Sequence, residues 1–560
     1  MKSLLALALF LSSVQSVIPS HQEPLQPHGR KPPTRHSWTP FTEEFDRRVA
    51  HVLEHFHVPA ISIAVINGNE TYAKGYGIAN FPDTQATPDT LYYCGSTTKS
   101  FTAAAILKLI ERSANDSQPL SLQTKIQPII REEFVLPDEY ATAHVTFEDA
   151  LSHRTGMPRH DNSYGEPNAT LSAMIRRLRY LPMTAEIRQE WQYCNMMFAV
   201  LTYVVETLTG SWLGDFFREN FWHPLGMHST FLSLADAKRA AAMGNGHLAT
   251  GYFWDNSTEE YVAEDYMEDT PVVGGAGAVI SSVLDYARYL RAMVTMNSTL
   301  LSADSFRELR HPRIITEHEN AETGWTGPMM YGLAWMYSVY HGHNIFHHGG
   351  SVTGFGALMA YAPTIKDGLG IAMMANTDVT SNSVEQILSF DILNDILDIP
   401  HEERFDWIKQ TEEGFERKRA AMTPKAARKR HFPDAPEPEK ALPPSQTLEA
   451  YAGSYWNDGY RNLTVTVKAR KDSHGASTEV LEIVVLDKVW PHAITFEHIS
   501  GDYFLAWIHQ PEREPGMLMD DVKPAEFRLG ASGKVEQMGI AYDTQMKGEM
   551  IWFKKTETIG

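Results

Sequence analysis

One serine and one lysine are spaced so that the lysine amine could activate the serine hydroxyl to form an acyl-enzyme. In "YYCGSTTKSFTAAAILKLIER" (Tyr92–Arg112), Ser96 follows a turn and Lys99 comes three residues later. On a helix these positions share a face, so the amine can reach the hydroxyl. A serine hydroxyl needs such a base to become a nucleophile, and a helix N-terminus favours the negative charge that develops. The structural alternative is that Ser96 only caps the helix and Lys99 only lines its surface.

Two later segments could complete such a site. "EWQYCN" carries Tyr193 and Asn195 just before a predicted helix, and "IFHHGGSVTG" carries His348, Gly349 and Gly350 on a predicted strand edge. Acyl transfer needs a group that protonates the leaving atom and a wall that binds the substrate opposite the nucleophile. The structural alternative is a capping asparagine, a packed tyrosine and glycines that allow a bulge.

These three segments resemble the serine β-lactamase-related hydrolases of the class C type. That family includes DD-peptidases, esterases, D-amino-acid amidases and transesterases, and it shares Ser-x-x-Lys, Tyr-x-Asn and a Lys/His-x-Gly strand in this order. The resemblance covers about residues 42–400, including "LSHRTGMPRHD", "LTYVVETLTGSWLGDFFRENFWHPLGMHST", "PVVGGAGAVISSVLDYARYL" and "MYGLAW". It implies an α/β (α+β) fold, in which N- and C-terminal strands form an antiparallel sheet with helices and a helical block is inserted between them.

The resemblance also implies a role for each matching residue. Ser96 would be the acylated nucleophile, and Lys99 would lower the pKa of Tyr193 and help to deprotonate the serine. Tyr193 would be the general base in acylation and the general acid toward the leaving group. Asn195 would bind the substrate or Lys99.

The third segment would bind the substrate along its strand. Gly349 and Gly350 would let the substrate lie close to the backbone. The backbone N–H groups of Ser96 and Ser351 would form the oxyanion hole. His348 stands where the family usually has lysine, and an unperturbed histidine is mostly neutral at pH 7.

A neutral group at position 348 predicts the substrate class. A fixed cation there would suit penicillins and peptides with a free carboxylate, so we expect neutral esters to be cleaved faster than either. The predicted activity is that of a secreted serine hydrolase or acyltransferase acting on a small-molecule ester or amide. The alternatives are a β-lactamase or D-stereospecific peptidase, and a catalytically silent binding protein on the same fold.

Composition excludes several other classes of protein. The formal charge of −20 gives no basic surface for nucleic acid, and no metal-binding or phosphate-binding motif is present, so we expect no cofactor. The only cysteines are Cys94 and Cys194. The resemblance brings both near one site, where they could form a disulfide or serve as small buried residues.

The N-terminus predicts export. Residues 1–16 combine Lys2, an apolar core and a small residue at the cleavage point, as in a signal peptide, and residues 17–41 form a loose leader. No later apolar run is long enough to span a membrane, so we expect a soluble secreted protein. Six Asn-x-Ser/Thr sequences are candidate glycosylation sites: Asn69, Asn115, Asn168, Asn256, Asn297 and Asn462.

The C-terminal third predicts a second domain. Residues 401–446 read as a charged helix and a Pro-rich linker, and residues 447–560 contain short β-patterned runs typical of an antiparallel barrel or sandwich. "YAGSYWNDGYRNLTV" (Tyr451–Val465) resembles the small lipocalin-like barrel of some family members. The sequence leaves the oligomeric state open.

Overall fold

The strands of the first domain form an antiparallel sheet in the computed structural model, which describes residues 39–166, 168–317, 325–471, 477–511 and 520–556. The predicted signal peptide, 1–16, lies outside the described residues, as does most of the leader. The sheet has the order β3-β2-β1-β13-β12-β11-β10-β9-β8, and β4 with β7 and β5 with β6 form two small ribbons. The strands are β1 Ala60–Asn67, β2 Glu70–Asn80, β3 Thr84–Gln85, β4 Tyr92–Tyr93, β5 Tyr252–Asp255, β6 Glu260–Ala263, β7 Ile280–Ser281, β8 Ile314–Glu317, β9 Met329–Tyr331, β10 Met336–Tyr340, β11 His343–Val352, β12 Phe355–Ala362 and β13 Leu369–Ala375.

The centre of this sheet joins the two ends of the domain. In β1 the sequence "AISIAVI" is buried throughout, as expected for a strand covered on both faces. It pairs with β13 from Ile61 opposite Ala375 to Asn67 opposite Leu369, about 300 residues away along the chain. The predicted α/β fold, with N- and C-terminal strands in one sheet, is confirmed.

Helices cover the sheet and fill the segment between its two halves. The helix α2 that follows the Ser96 turn is almost entirely buried, from Lys99 to Leu109. The helices of this domain are α1 Glu43–His55, α2 Lys99–Arg112, α3 Glu139–His144, α4 Phe147–Leu151, α5 Leu171–Arg177, α6 Asn195–Thr209, α7 Leu213–Phe217, α8 His223–Leu225, α9 Leu234–Ala242, α10 Gly274–Gly277, α11 Val283–Thr295, α12 Ala303–Leu309 and α13 Thr380–Ile396. In the described ranges no single helix is long and apolar enough to cross a bilayer, and the one pair with that combined length and composition, Asn195–Thr209 with Leu213–Leu225, is bent by 78°.

The C-terminal region closes into a β-barrel. Each strand pairs antiparallel with the next, and the last strand returns to the first, so the barrel has no free edge. The strands are β14 Gly453–Asn457, β15 Arg461–Lys471, β16 Ser477–Val485, β17 His492–Ser500, β18 Tyr503–His509, β19 Asp521–Leu529, β20 Val535–Ile540 and β21 Ile551–Lys555. The predicted all-β barrel is confirmed, whereas its likeness to lipocalins stays a prediction.

The segment between sheet and barrel is largely helical. It holds α14 Trp407–Ala421 and α15 Pro424–His431, and the short α16 Leu448–Tyr451 leads into the barrel. Phe415 of α14 packs against Phe56, and Ala427 of α15 lies in a small apolar cluster with Trp507 of the barrel. Pro40–Gly560 form one compact unit.

Candidate active site

Ser96 lies on a tight turn between a short strand and a buried helix. The turn is the 3₁₀ segment Gly95–Thr98, which follows β4 and runs directly into α2. Thr98, not Ser96, occupies the position before α2, and neither helical segment has a side-chain cap. The capping alternative therefore does not account for Ser96. Its side chain faces a cavity of about 640 Å³.

Lys99 reaches the serine from inside the protein. Its Nζ lies 3.0 Å from Ser96 Oγ and 2.7 Å from the carbonyl oxygen of Ala276, and the residue is fully buried. Burial holds the pKa of Lys99 well below its ordinary value, and the nearby Arg159 charge acts in the same direction. The lysine can thus supply a neutral amine beside the serine hydroxyl.

Tyr193 lies beside both Ser96 and Lys99, just before α6. Its ring centroid is 4.8 Å from Lys99 Nζ and 4.2 Å from the ring of His153. Burial raises the pKa of the Tyr193 phenol, while a hydrogen bond with Ser96 and the Arg159 charge act against that rise. The phenol therefore holds its proton near neutral pH.

The histidine of the third segment is neutral. His348 Nδ1 lies 2.6 Å from the Gly349 carbonyl, which can only accept, so this nitrogen carries the proton. Its Nε2 then accepts from the Tyr331 hydroxyl at 3.0 Å. Burial, reinforced by Lys99, lowers the pKa of His348 to about 3. His348 offers no fixed positive charge to a substrate, and both of its nitrogens are engaged.

Strand β11 packs closely against the Ser96 turn. A Cβ on Gly350 would overlap the carbonyl oxygen of Cys94 and lie 3.2 Å from the backbone nitrogen of Ser96, and one on Gly95 would overlap the nitrogen of Ser351. The two N–H groups expected to form the oxyanion hole thus belong to segments in direct contact. Asn382 donates to the Gly350 carbonyl at 2.8 Å and fixes this edge from the side of α13.

Beyond His347, strand β11 has no strand partner on the side of β10 in the described pairing. The described pairing of β10 with β11 runs from His343 to His347 and stops there. The next residues of β11 pair with β12 alone. A substrate backbone could add to this free edge beside Gly349.

A loop with an ion pair completes the polar wall of the cavity. Arg159 and Asp161 lie between α4 and α5, and Arg159 Nε donates to Asp161 Oδ2 at 2.8 Å. The amide of Asn195 donates to Asp161 Oδ1 at 3.1 Å, instead of to Lys99. The Arg159 guanidinium lies 5.0 Å from the centroid of the Tyr193 ring.

The sequence interpretation did not assign Arg159 or Asp161 to the site. Both belong to "LSHRTGMPRHD", a segment whose sequence indicates only the resemblance to the family. An Arg-x-Asp pair in a polar loop carries no signal of its own, because charged loop residues are usually solvated.

The cavity also has an apolar wall that the sequence did not predict. Trp325 lies 5.3 Å from Phe390 and stacks on His347 at 5.9 Å between ring centroids. Other apolar residues of this lining are Ile345, Leu358 and Leu393, and Trp490 enters the lining from the barrel. The site can therefore accept a substrate much larger than a simple ester.

The two cysteines are buried free thiols. Cys94 Sγ lies 3.5 Å from the Tyr92 carbonyl, and the backbone N–H of Cys194 donates to His153 Nδ1 at 3.1 Å. Burial raises the pKa of both thiols. The structure therefore has small buried residues here and not the disulfide, the other alternative that the sequence left open.

Comparison with known proteins identifies the family. The beta-lactamase family model matches residues 45–391, which include Ser96, Lys99, Tyr193 and His348. The protein is a member of the beta-lactamase family. A second model, a domain of unknown function called DUF3471, matches residues 437–555 and so covers the barrel.

Relatives of this beta-lactamase family member extend over both domains. An unguisins hydrolase of Aspergillus campestris is 37% identical over 526 residues, covering 93% of this chain and 93% of the relative. Another unguisins hydrolase, of Aspergillus violaceofuscus, is 36% identical over 544 residues, with 92% and 91% covered. A fungal hydrolase of the same two-domain length is thus a homologue of this chain.

Solved structures support the fold alone. The octameric penicillin-binding protein homologue from Pyrococcus abyssi aligns with a TM-score of 0.56 at 20% identity, covering 91% of this chain and 99% of that one. SurE aligns with a TM-score of 0.52 at 17% identity, covering 92% and 98%. The fold of this chain therefore recurs in known structures.

Proposed function

We propose that this protein is a serine hydrolase that cleaves an amide or ester bond through an acyl-enzyme on Ser96. The observation that carries the proposal is the 3.0 Å contact between Lys99 Nζ and Ser96 Oγ at a fully buried lysine. A neutral amine so placed can take the hydroxyl proton while Oγ attacks the substrate carbonyl. The N–H groups of Ser96 and Ser351 would stabilise the oxyanion.

Tyr193 supplies the proton that the leaving group needs. Because burial raises its pKa, it serves better as an acid than as the acylation base expected from the family. Its phenol proton goes to the leaving nitrogen or oxygen, and the proton taken up by Lys99 restores the phenol. In deacylation a water molecule attacks the acyl carbonyl, its proton follows the reverse path, and Ser96 leaves with its hydroxyl restored.

The candidate substrates are unguisins. This part of the proposal rests on the two relatives named unguisins hydrolase, each above 35% identity across both domains. The cavity volume of about 640 Å³ and its mixed apolar and polar lining suit a large, largely uncharged substrate. A β-lactamase or D-peptidase is the second candidate within the family, but neutral His348 gives it no fixed cation for a carboxylate.

The proposal is tested by labelling and by product analysis. A fluorophosphonate probe should label the folded protein on Ser96, as mapped by peptide mass spectrometry, and Ser96→Ala should not be labelled. Incubation with a purified unguisin should give hydrolysis products whose summed mass exceeds that of the substrate by one water, with the wild type and not with Ser96→Ala. Absence of label on Ser96 in folded protein would favour the silent binding protein instead.

We also propose that the protein is exported and glycosylated. The support is the signal-like N-terminus and the exposed position of all six candidate asparagines: Asn69, Asn115, Asn168, Asn256, Asn297 and Asn462. Expression in a fungal host should yield protein in the medium that starts near residue 17 and loses mass with an N-glycosidase. Retention in the cells would contradict this.

A further inference from the structure

The loop that carries Arg159 and Asp161 is held by the barrel. The backbone N–H of Arg159 donates to Gln545 Oε1 at 3.0 Å, and the N–H of His160 donates to Asp543 Oδ2 at 2.7 Å. His160 Nδ1 lies 2.8 Å from the hydroxyl of Tyr460. The contacts join residues about 300 or more apart in the chain, so the barrel must be docked before the loop is fixed.

His160 is the centre of this contact. It has a left-handed backbone, with φ +50°, and is only 1% exposed. A non-glycine residue in this conformation needs support from its surroundings. The barrel gives that support on one side, and the carbonyl oxygen of Pro182, 2.8 Å from His160 Nε2, gives it on the other.

On its other face the loop contacts the catalytic groups. Arg159 lies over the Tyr193 ring, and Asp161 accepts from both Arg159 and Asn195. A displacement of the loop would therefore move the charge beside Tyr193 and release the Asn195 amide. The chain of contacts runs from Asp543 through His160 to the residues around Ser96.

The barrel also reaches the cavity itself. Trp490, in the connection between β16 and β17, lines the cavity that Ser96 faces. The N–H of Val489 donates to the Gly165 carbonyl at 3.1 Å, and the ring of Trp490 lies 6.4 Å from that of Tyr164. This connection is thus held against the same loop, with a large aromatic surface turned to the substrate space.

We propose that the C-terminal barrel is part of the active site: Asp543 and Gln545 are positioning residues for the Arg159–Asp161 pair, and Trp490 is a specificity-determining wall for large substrates. This inference rests on the proposed function, because it assumes that Ser96 is the nucleophile. It assigns a role to the region matched by the domain of unknown function. A barrel that only stabilised the fold would not need a side chain in the cavity.

The positioning role is tested by removing and restoring an acceptor. In the full-length protein, Asp543→Ala should slow labelling of Ser96 by diisopropyl fluorophosphate by about tenfold to a hundredfold, as expected for a small displacement of catalytic groups. Asp543 accepts from the His160 N–H with one oxygen and from the Gln545 N–H with the other, and Asp543→Asn keeps only one acceptor, so it should recover part of the rate. Gln545→Ala, a milder change, should give a smaller loss.

The matched control is Asp502→Ala. Asp502 is a barrel carboxylate that accepts from the Ser445 hydroxyl at 2.7 Å, in a network with Tyr451 outside the cavity lining. The Asp502→Ala variant should be labelled at the wild-type rate. Thermal midpoints should be recorded for every variant. The inference is overturned if folded Asp543→Ala and Gln545→Ala label like the wild type, or if Asp502→Ala is slowed as much as Asp543→Ala.

The specificity role is tested by comparing a large and a small probe. Trp490→Ala should lower the labelling rate for a rhodamine-bearing fluorophosphonate by about tenfold more than the rate for diisopropyl fluorophosphate, because the large probe loses an aromatic contact. Trp456→Ala, at a barrel tryptophan that packs on Arg461, should leave the ratio of the two rates unchanged. If the ratio of the large-probe rate to the small-probe rate is unchanged or increased in Trp490→Ala, Trp490 does not determine specificity for large substrates. Wild-type protein that neither probe labels would overturn the proposed function and this inference together, whereas labelled protein with insensitive variants would overturn this inference alone.

Discussion

Lys99 lies beside the proposed nucleophile in an environment that is unfavourable for its charge. A fully buried ammonium costs free energy unless it is paired, and here its hydrogen bonds go to a hydroxyl and a carbonyl oxygen. The result is a lysine whose pKa is held well below its ordinary value. Such a shift is characteristic of a working base, and it makes the residue a source of instability.

The pH dependence of stability should reveal this lysine. In the unfolded chain its pKa is about 10.4, and folding lowers it, so between the two values the unfolded state binds more protons. This group therefore makes the wild type more stable as pH rises through that window, by at most about 1.4 kcal/mol per pH unit. We expect Lys99→Met to lack this gain, so its stability relative to the wild type should be greatest near neutral pH and should fall toward about pH 9.5.

Chemical denaturation at several pH values measures this difference. Ser96→Ala removes the proposed nucleophile but keeps the amine, and it should show the wild-type pH dependence. A constant difference between Lys99→Met and the wild type across the range would mean that the lysine is not desolvated in the folded protein.

The neutral third segment leads to a prediction about substrates. His348 carries no charge, and the nearby Arg159 is neutralised by Asp161. We expect a higher kcat/KM for p-nitrophenyl butyrate than for a chromogenic cephalosporin or a D-alanine amide near pH 7. If the cephalosporin were cleaved about tenfold faster than the ester, a difference of about 1.4 kcal/mol in transition-state binding, the β-lactamase alternative would replace the esterase or amidase one.

At the level of elements, the decisive contact is between the Ser96 turn and the edge of β11. Gly350 faces the turn so closely that a Cβ would overlap the Cys94 carbonyl, whereas a Cβ on neighbouring Gly349 would find its nearest atom at 3.9 Å. Successive residues of a strand point to opposite faces, which explains why adjacent glycines differ in this way. Only one of the two is required for packing.

Alanine at these two positions should therefore have different effects. We expect Gly350→Ala to lower the free energy of unfolding by about 1–3 kcal/mol and to reduce labelling of Ser96, because strand and turn must separate. Gly349→Ala should keep the wild-type thermal midpoint. Equal midpoints for the two variants would show that the strand edge is not packed against the turn.

The sequence predicts these elements better than their contacts. The spacing of Ser96 and Lys99 is a local pattern, and the predicted reach of the amine to the hydroxyl agrees with the 3.0 Å contact in the structure. Arg159 could not be assigned in this way, because its role depends on a loop that is fixed by Asp543, almost 400 residues later. The sequence predicts a neutral His348 from the ordinary pKa of histidine, but no local pattern specifies the burial that lowers this pKa further.

For the whole molecule, the predicted linker is the segment whose packing in the structure differs most from what its composition indicates. Its composition is polar and rich in proline, yet α14 and α15 pack against both domains. His55 of α1 lies 2.8 Å from Glu412 of α14, and Lys547 of the barrel lies 2.8 Å from Glu190 of the first domain. Side chains on the exposed face of these helices produce the polar composition, so composition alone could not reveal the packing.

The two domains should therefore unfold together. One apolar core extends from the sheet, at Ala64, to the barrel, at Phe553, and Pro40–Gly560 form a single unit. We expect scanning calorimetry of the full-length protein to give one transition whose calorimetric and van't Hoff enthalpies agree. Because the barrel buries part of its surface against the loop at His160, Asp543→Ala should lower the midpoint of that whole transition. Two separated transitions, with Asp543→Ala shifting only one of them, would show instead that the barrel is an independent module that happens to touch the active site.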